Sequence, residues 1–260
     1  MQLRPDHIPL IHNYCDYWCD RCAFTSRCAV FADKKWEARE ARLHTDGDNA
    51  ALWRSVEGAL QESLAQLREL RQQAVADWFG DVSGEPTDED LVRQARQREA
   101  EESHPLTKLA WDYFSQVADW LKTSGDSVRG VADGVLAEAK ITRDLQAAET
   151  ELSRLNDMLE IVSWYHTLFP PKVGRFLSSV VEHDEDDGLP ADDYDLLGTA
   201  KFLLVSLDRN IVAWMELLKA LPEQEDALLG FLVLLARLRS GIDQLVPSAR
   251  AFLRPGIDEP

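Results

Sequence analysis

Residues 128–169, VRGVADGVLAEAKITRDLQAAETELSRLNDMLEIVSWYHTLF, repeat apolar residues mostly at intervals of three and four. That is the period of an amphipathic helix, and it makes Val131, Val135, Ile141, Leu145, Leu152, Leu155, Leu159, Val162 and Leu168 the expected core positions. Pro170 and Pro171 follow at once and predict the end of the helix, because proline lacks the N–H and its ring clashes with the preceding turn. No stretch of the chain alternates apolar and polar residues in the β-branched manner of a strand. The fold class expected is all-α, a helical bundle.

The same period recurs on both sides. Towards the N-terminus, Asn49 to Phe79 carries Leu52, Val56, Ala59, Leu60, Leu64, Leu67, Leu70 and Val75 on one stripe, and Gly80 to Pro86 is a turn. Thr87 with Asp90 resembles a capping box and opens a helix towards His104, which Pro105 interrupts. Leu109, Tyr113, Val117 and Trp120 give the next helix, Leu106 to Lys122, its buried face. Towards the C-terminus, a short helix Lys172 to Glu182 and an acidic loop His183 to Asp193 precede helices over Tyr194 to Ala220 and Glu223 to Ile242. Phe202 to Leu207 and Ile211 to Trp214 make the first of these apolar around most of its circumference, as a central helix is. Charges on this helix are expected to be ion-paired, Lys201 with Asp208 or Arg209 with an acid of a neighbouring helix, in preference to meeting a ligand carboxylate.

The most specific chemical feature is Cys15-Asp-Tyr-Trp-Cys19-Asp-Arg-Cys22-Ala-Phe-Thr-Ser-Arg-Cys28, which holds every cysteine of the 260 residues. Four thiols are what one tetrahedral metal ion or one iron–sulfur cluster takes. The first residues show no export signal and the longest apolar run, Ala227 to Ala236, is about half a membrane span, so a cytoplasmic protein with no membrane partner is expected. In a reducing compartment, clustered cysteines favour metal or redox chemistry over structural disulfides. The segment 1–46 reads as a small cysteine-rich metal-binding lobe with a following helix, Ala29 to Leu43, and 47–260 as the acidic bundle.

Spacing discriminates between metals. On an unbroken helix over 12–23, Cys15, Cys19 and Cys22 share a face within about 60°, yet Cys15 and Cys22 stand roughly 10 Å apart along the axis. Zinc draws its sulfurs to within roughly 4 Å of one another, so it requires the helix to break, whereas a cubane spreads its thiolates more widely. An iron–sulfur cluster, [4Fe–4S], is therefore the first expectation and zinc the second. Tyr14, Tyr17, Trp18, Phe24 and Phe31 are available to shield a cluster from water.

Cys15-x3-Cys19-x2-Cys22 resembles the cluster motif of radical S-adenosylmethionine enzymes. That resemblance implies a [4Fe–4S] cluster on three cysteines in a loop of a β/α barrel. Arg21 stands where that family normally has an aromatic residue, Cys28 adds a fourth thiol, and the strands of a barrel are missing from the pattern, so membership is not assigned.

Other constellations are weaker. Glu101 and His104 supply one Glu-x-x-His spacing of a two-metal bundle, but Glu160 and His166 do not supply the second, and ferritin-like oxidase chemistry stays an alternative only. The acidic loop lacks the bidentate carboxylate of a calcium loop. Trp164, Tyr165 and His166 with Lys172 and Arg175 gather groups that suit a small anion, although helix-end packing explains them better. A net charge of −18 repels a phosphate backbone, which argues against nucleic acid. The residues name no catalytic group or substrate. Three roles remain: a metal-bearing helical protein with a docking or regulatory surface, a structural interaction or adaptor protein with a zinc staple, and an iron–sulfur or ferritin-like oxidoreductase.

Overall fold

The computed structural model describes residues 6–8, 11–32, 87–185 and 194–258. The amphipathic stretch Asn49 to Phe79 and its following turn lie outside them. All regular elements among the described residues are helical, which matches the all-α expectation. The chain divides into two compact units, one of Met1–Pro9 with Trp18–Ala95 and one of Leu10–Tyr17 with Arg96–Pro260.

The second unit contains α1 (Ile11–Tyr14), α3 (Pro105–Thr123), α4 (Gly125–Thr142), α5 (Leu145–Glu185), α6 (Tyr194–Ala220) and α7 (Glu225–Leu245). A preceding helix, α2 (Asp88–Ser103), ends where His104 adopts an extended conformation and its Nδ1 accepts the Leu106 N–H at 3.1 Å. Pro105 then sits in the first turn of α3, where its missing N–H costs nothing. The interruption expected at Pro105 is thus a capped helix start.

Helix α6 is the centre of this unit. Phe202, Leu203, Leu204, Leu207, Ala213, Trp214 and Leu217 are buried, and α6 packs against α5, α7, α1 and the C-terminal 3-10 turn Pro247–Ala251. Helix α3 closes the bundle against α5 and α7 through Leu106, Ala110, Tyr113, Val117 and Trp120. Close approach is built in at Gly198, where a Cβ would stand 2.6 Å from the Tyr14 ring, so only glycine lets α1 lie on α6.

Two expectations fail along α5. The long periodic stretch is a helical hairpin: α4 ends at Thr142, and Arg143 takes the left-handed conformation, φ 62°, that reverses the chain. Ile141 and Leu145 therefore stand at a hairpin tip, 84% and 73% exposed, instead of in the core. Pro170 and Pro171, in contrast, do not stop α5, which runs through them to Glu185. Val162, Tyr165, Phe169, Val173 and Phe176 form one buried stripe across the proline pair. Burial of each large apolar side chain contributes about 1.5–3 kcal/mol, so Val173 and Phe176 beyond the prolines offset the roughly 3 kcal/mol of an internal proline.

Candidate functional site

In the first unit, Cys19, Cys22 and Cys28 lie on or beside turns. Trp18 is buried and precedes a 3-10 turn, Cys19–Arg21, which the Cys22 N–H closes onto the Cys19 carbonyl at 3.2 Å. A second 3-10 turn, Thr25–Arg27, ends when the Cys28 N–H reaches the Thr25 carbonyl at 3.4 Å. The Cys28 carbonyl then accepts from Ala32, starting the helical residues 29–32. Of the helix expected over Ala29 to Leu43, the part beyond Ala32 lies outside the described residues.

Backbone N–H groups are directed at two sulfurs. Phe24 donates to Cys22 Sγ at 3.4 Å, and Phe31 donates to Cys28 Sγ at 3.3 Å. Such bonds are among the groups that tune metal-bound sulfur. All four cysteines are thiols, with Cys28 buried and the other three half-buried. Among the described residues, no three His, Cys, Asp or Glu side chains gather in a set able to hold a metal ion.

Residues 12–23 do not form an unbroken helix. Helix α1 ends at Tyr14, residues 15–18 are irregular, and Tyr17 has a positive φ of 56°. That conformation is uncommon for a bulky side chain and takes the chain off the helical path. The break that zinc requires is therefore present.

In the second unit, Cys15 belongs to a segment clasped by α5 and α6. Asp16 accepts a 2.8 Å hydrogen bond from the Tyr165 hydroxyl, and its carbonyl accepts the Trp164 indole N–H at 2.9 Å. Arg209 donates to the Tyr165 oxygen at 3.1 Å and stands 3.8 Å from the Asp16 carboxylate. Burial, reinforced by the Asp16 charge, pushes the Tyr165 hydroxyl up to about 12. Arg175 bridges Asn13 at 2.9 Å and Asp195 at 2.6 Å. Lys172 is buried with its ammonium 4.9 Å from the Phe202 ring centre and 5.3 Å from that of Tyr17. Desolvation lowers its pKa; the Cys15 charge opposes this, Arg175 adds to it, and Asp195 and Asp16 oppose it.

These contacts revise the anion site suggested by Trp164, Tyr165, His166, Lys172 and Arg175. Chain groups engage Trp164, Tyr165 and Arg175 here, with Asp16 and Asp195 supplying the negative charge. His166 is stacked on Phe114, centroids 5.5 Å apart, with Nδ1 2.7 Å from the Ser163 carbonyl. Burial lowers its pKa, so it is neutral at pH 7 and serves as packing. Sequence reading missed Asp16, whose role becomes visible only when α5 and α6 are brought beside it.

Lys201 and Asp208 do not pair. Lys201 donates to the Arg250 carbonyl at 2.6 Å, whereas Asp208 accepts from Arg239 and Arg250, each at 3.0 Å. Arg250 also holds Asp243 at 2.9 Å. Lys201, Asp208, Arg209 and His166 are thus distributed among separate partners. Desolvation pushes the Asp208 carboxyl up, but hydrogen bonds from Arg250 and Arg239, with their charges, hold it below its ordinary 3.8.

A depressed carboxyl pKa contributes stability above the unfolded value, and the contribution is lost as pH falls through the folded one. Stability measured by urea unfolding is expected to fall as pH drops below about 4, and Asp208→Asn is expected to flatten part of that fall. The side chain is 41% exposed, so its share is below about 1 kcal/mol. An unchanged acid slope in the variant contradicts this role.

Glu101 accepts a hydrogen bond from Ser178, and His104 caps α3, so neither presents a two-metal ligand pair. Glu160 accepts from Asn156 at 2.7 Å, while His166 is buried elsewhere on α5. Compared with family models, curated proteins and solved structures, the chain matches none.

Proposed function

We propose that Cys15, Cys19, Cys22 and Cys28 hold a [4Fe–4S] cluster, and that the helical protein bearing it serves as a docking or regulatory component. The observation carrying this reading is the pair of backbone N–H groups directed at Cys22 and Cys28 in a turn-rich segment. Hydrogen bonds to sulfur and exclusion of water are two levers on a cluster's properties, and the buried Trp18 and half-buried Phe24 and Phe31 provide apolar surface in the same unit.

A structural zinc is the second reading. It is favoured by the 3-10 turn that brings the Cys22 N–H onto the Cys19 carbonyl, since a tight Cys-x2-Cys turn removes the axial-separation objection to zinc. In that case the protein is an interaction or adaptor component with the metal as a staple.

Cys28→Ser tests ligation. The serine oxygen preserves an acceptor for the Phe31 N–H, so the backbone turn is retained while the soft ligand is lost. Metal bound per chain after anaerobic purification is expected to fall well below the parent value. Unchanged occupancy removes Cys28 from the ligand set.

A further inference from the structure

Between α4 and α5, the hairpin carries an open groove of about 610 Å³. Its floor is apolar: Leu136 and Ala139 come from α4, and Leu145, Ala148 and Leu152 from α5. Leu136 and Leu145 of this floor remain exposed, as does Ile141 at the tip. Exposed leucines grouped along one groove mark a recognition surface more than scattered ones do.

We propose that this groove receives a basic amphipathic helix of a partner protein. Length fits first. Leu145 to Asp157 covers twelve residue steps of α5, about 18 Å at 1.5 Å each, or roughly three turns of a helix lying alongside. The groove opens along the hairpin instead of closing into a chamber, which suits a rod-like ligand whose apolar stripe meets the leucine floor.

Charge identifies the other face of the occupant. Glu149 and Asp157 border the groove on α5, with Lys140 on the α4 side. From Gly125 to Glu160, eight acids outnumber four bases. A helix with Lys or Arg flanking its apolar stripe is therefore drawn in and held in register, whereas an acidic one is repelled. The chain's net charge of −18 likewise opposes occupation by a second copy.

Fluorescence anisotropy on the full chain provides the test, using a labelled synthetic peptide of about 18 residues with leucines at three- and four-residue spacing and lysines elsewhere. A scrambled peptide of the same composition and a glutamate-for-lysine counterpart serve as controls. The lysine peptide is expected to bind, with both controls and the E149K/D157K double variant each weakening the interaction about tenfold or more. Leu152→Glu is expected to weaken it similarly, and circular dichroism of each variant checks that the helices persist. Because Glu149 is exposed and Asp157 half-buried, the double charge reversal keeps the test informative if Leu152→Glu fails to fold. Equal binding of the scrambled peptide, unchanged affinity in E149K/D157K, or no binding of the lysine peptide overturns the proposal. Sedimentation showing a dimer that Leu152→Glu dissociates assigns the groove to a second copy and also overturns it.

Discussion

Trp214→Ala is expected to lower the folding stability of the helical bundle by about 3–5 kcal/mol, the range for emptying a large aromatic site in a packed core. Trp214 is wholly buried on α6, with Trp120 of α3 and Phe231 of α7 at centroid distances of 5.0 and 4.7 Å. Three helices lose contact surface together. The indole N–H also donates to the Tyr113 hydroxyl at 2.8 Å, so truncation removes a polar partner as well as volume. Urea unfolding followed by far-ultraviolet circular dichroism gives the measurement. A loss under about 1 kcal/mol would place Trp214 outside the stability-determining core.

Tyr113→Phe is the second large effect, expected at about 2–4 kcal/mol because two buried groups each lose a partner whose absence costs about 1–3 kcal/mol. The Tyr113 hydroxyl donates to Asn210 Oδ1 at 2.7 Å while accepting from Trp214. Asn210 is fully buried, and its Nδ2 has no hydrogen-bond partner among the described residues. The phenol thus holds together α3 and α6 at the one carboxamide in the middle of an apolar helix. Burial raises its pKa, keeping the hydroxyl protonated as a donor throughout the neutral range. Combining Tyr113→Phe with Asn210→Leu is expected to cost less than the sum of the single changes, because the double variant leaves fewer unsatisfied groups. Strict additivity contradicts a coupled pair.

The helices were legible because their cores recur at three and four residues. The spacing of Tyr113, Val117 and Trp120 marks one face of α3, and the apolar circumference of α6 announces its central place. The hairpin turn at Arg143 was not legible, since neither glycine nor proline marks it and the apolar period continues almost unbroken through Ile141 and Leu145. At Pro170 and Pro171 the opposite happened: a strong local signal was overridden by burial of Val173 and Phe176 farther along α5. Local chemistry registers a proline's missing N–H, whereas the compensating contacts come from residues distant in sequence.

The candidate site divided in the same way. The number and spacing of its cysteines were visible at once, but the path of the backbone was not. Tyr17 at φ 56° and the turns beginning at Cys19 and Thr25 take the chain off the helical path that the cysteine spacing on one helix face would require. Asp16 pairs with Tyr165 across 149 residues, and Lys201 gives up the expected Asp208 for a carbonyl 49 residues away. Partners at such separations leave no periodic signature.

Anaerobic purification of the full chain, followed by its absorption spectrum and by iron, sulfide and zinc determination, tests the metal centre most directly. Occupation by a [4Fe–4S] cluster predicts a brown protein with about four irons and four sulfides per chain. Colourless protein with one zinc replaces the cluster by the staple, and protein containing none of these elements contradicts the four-cysteine metal centre.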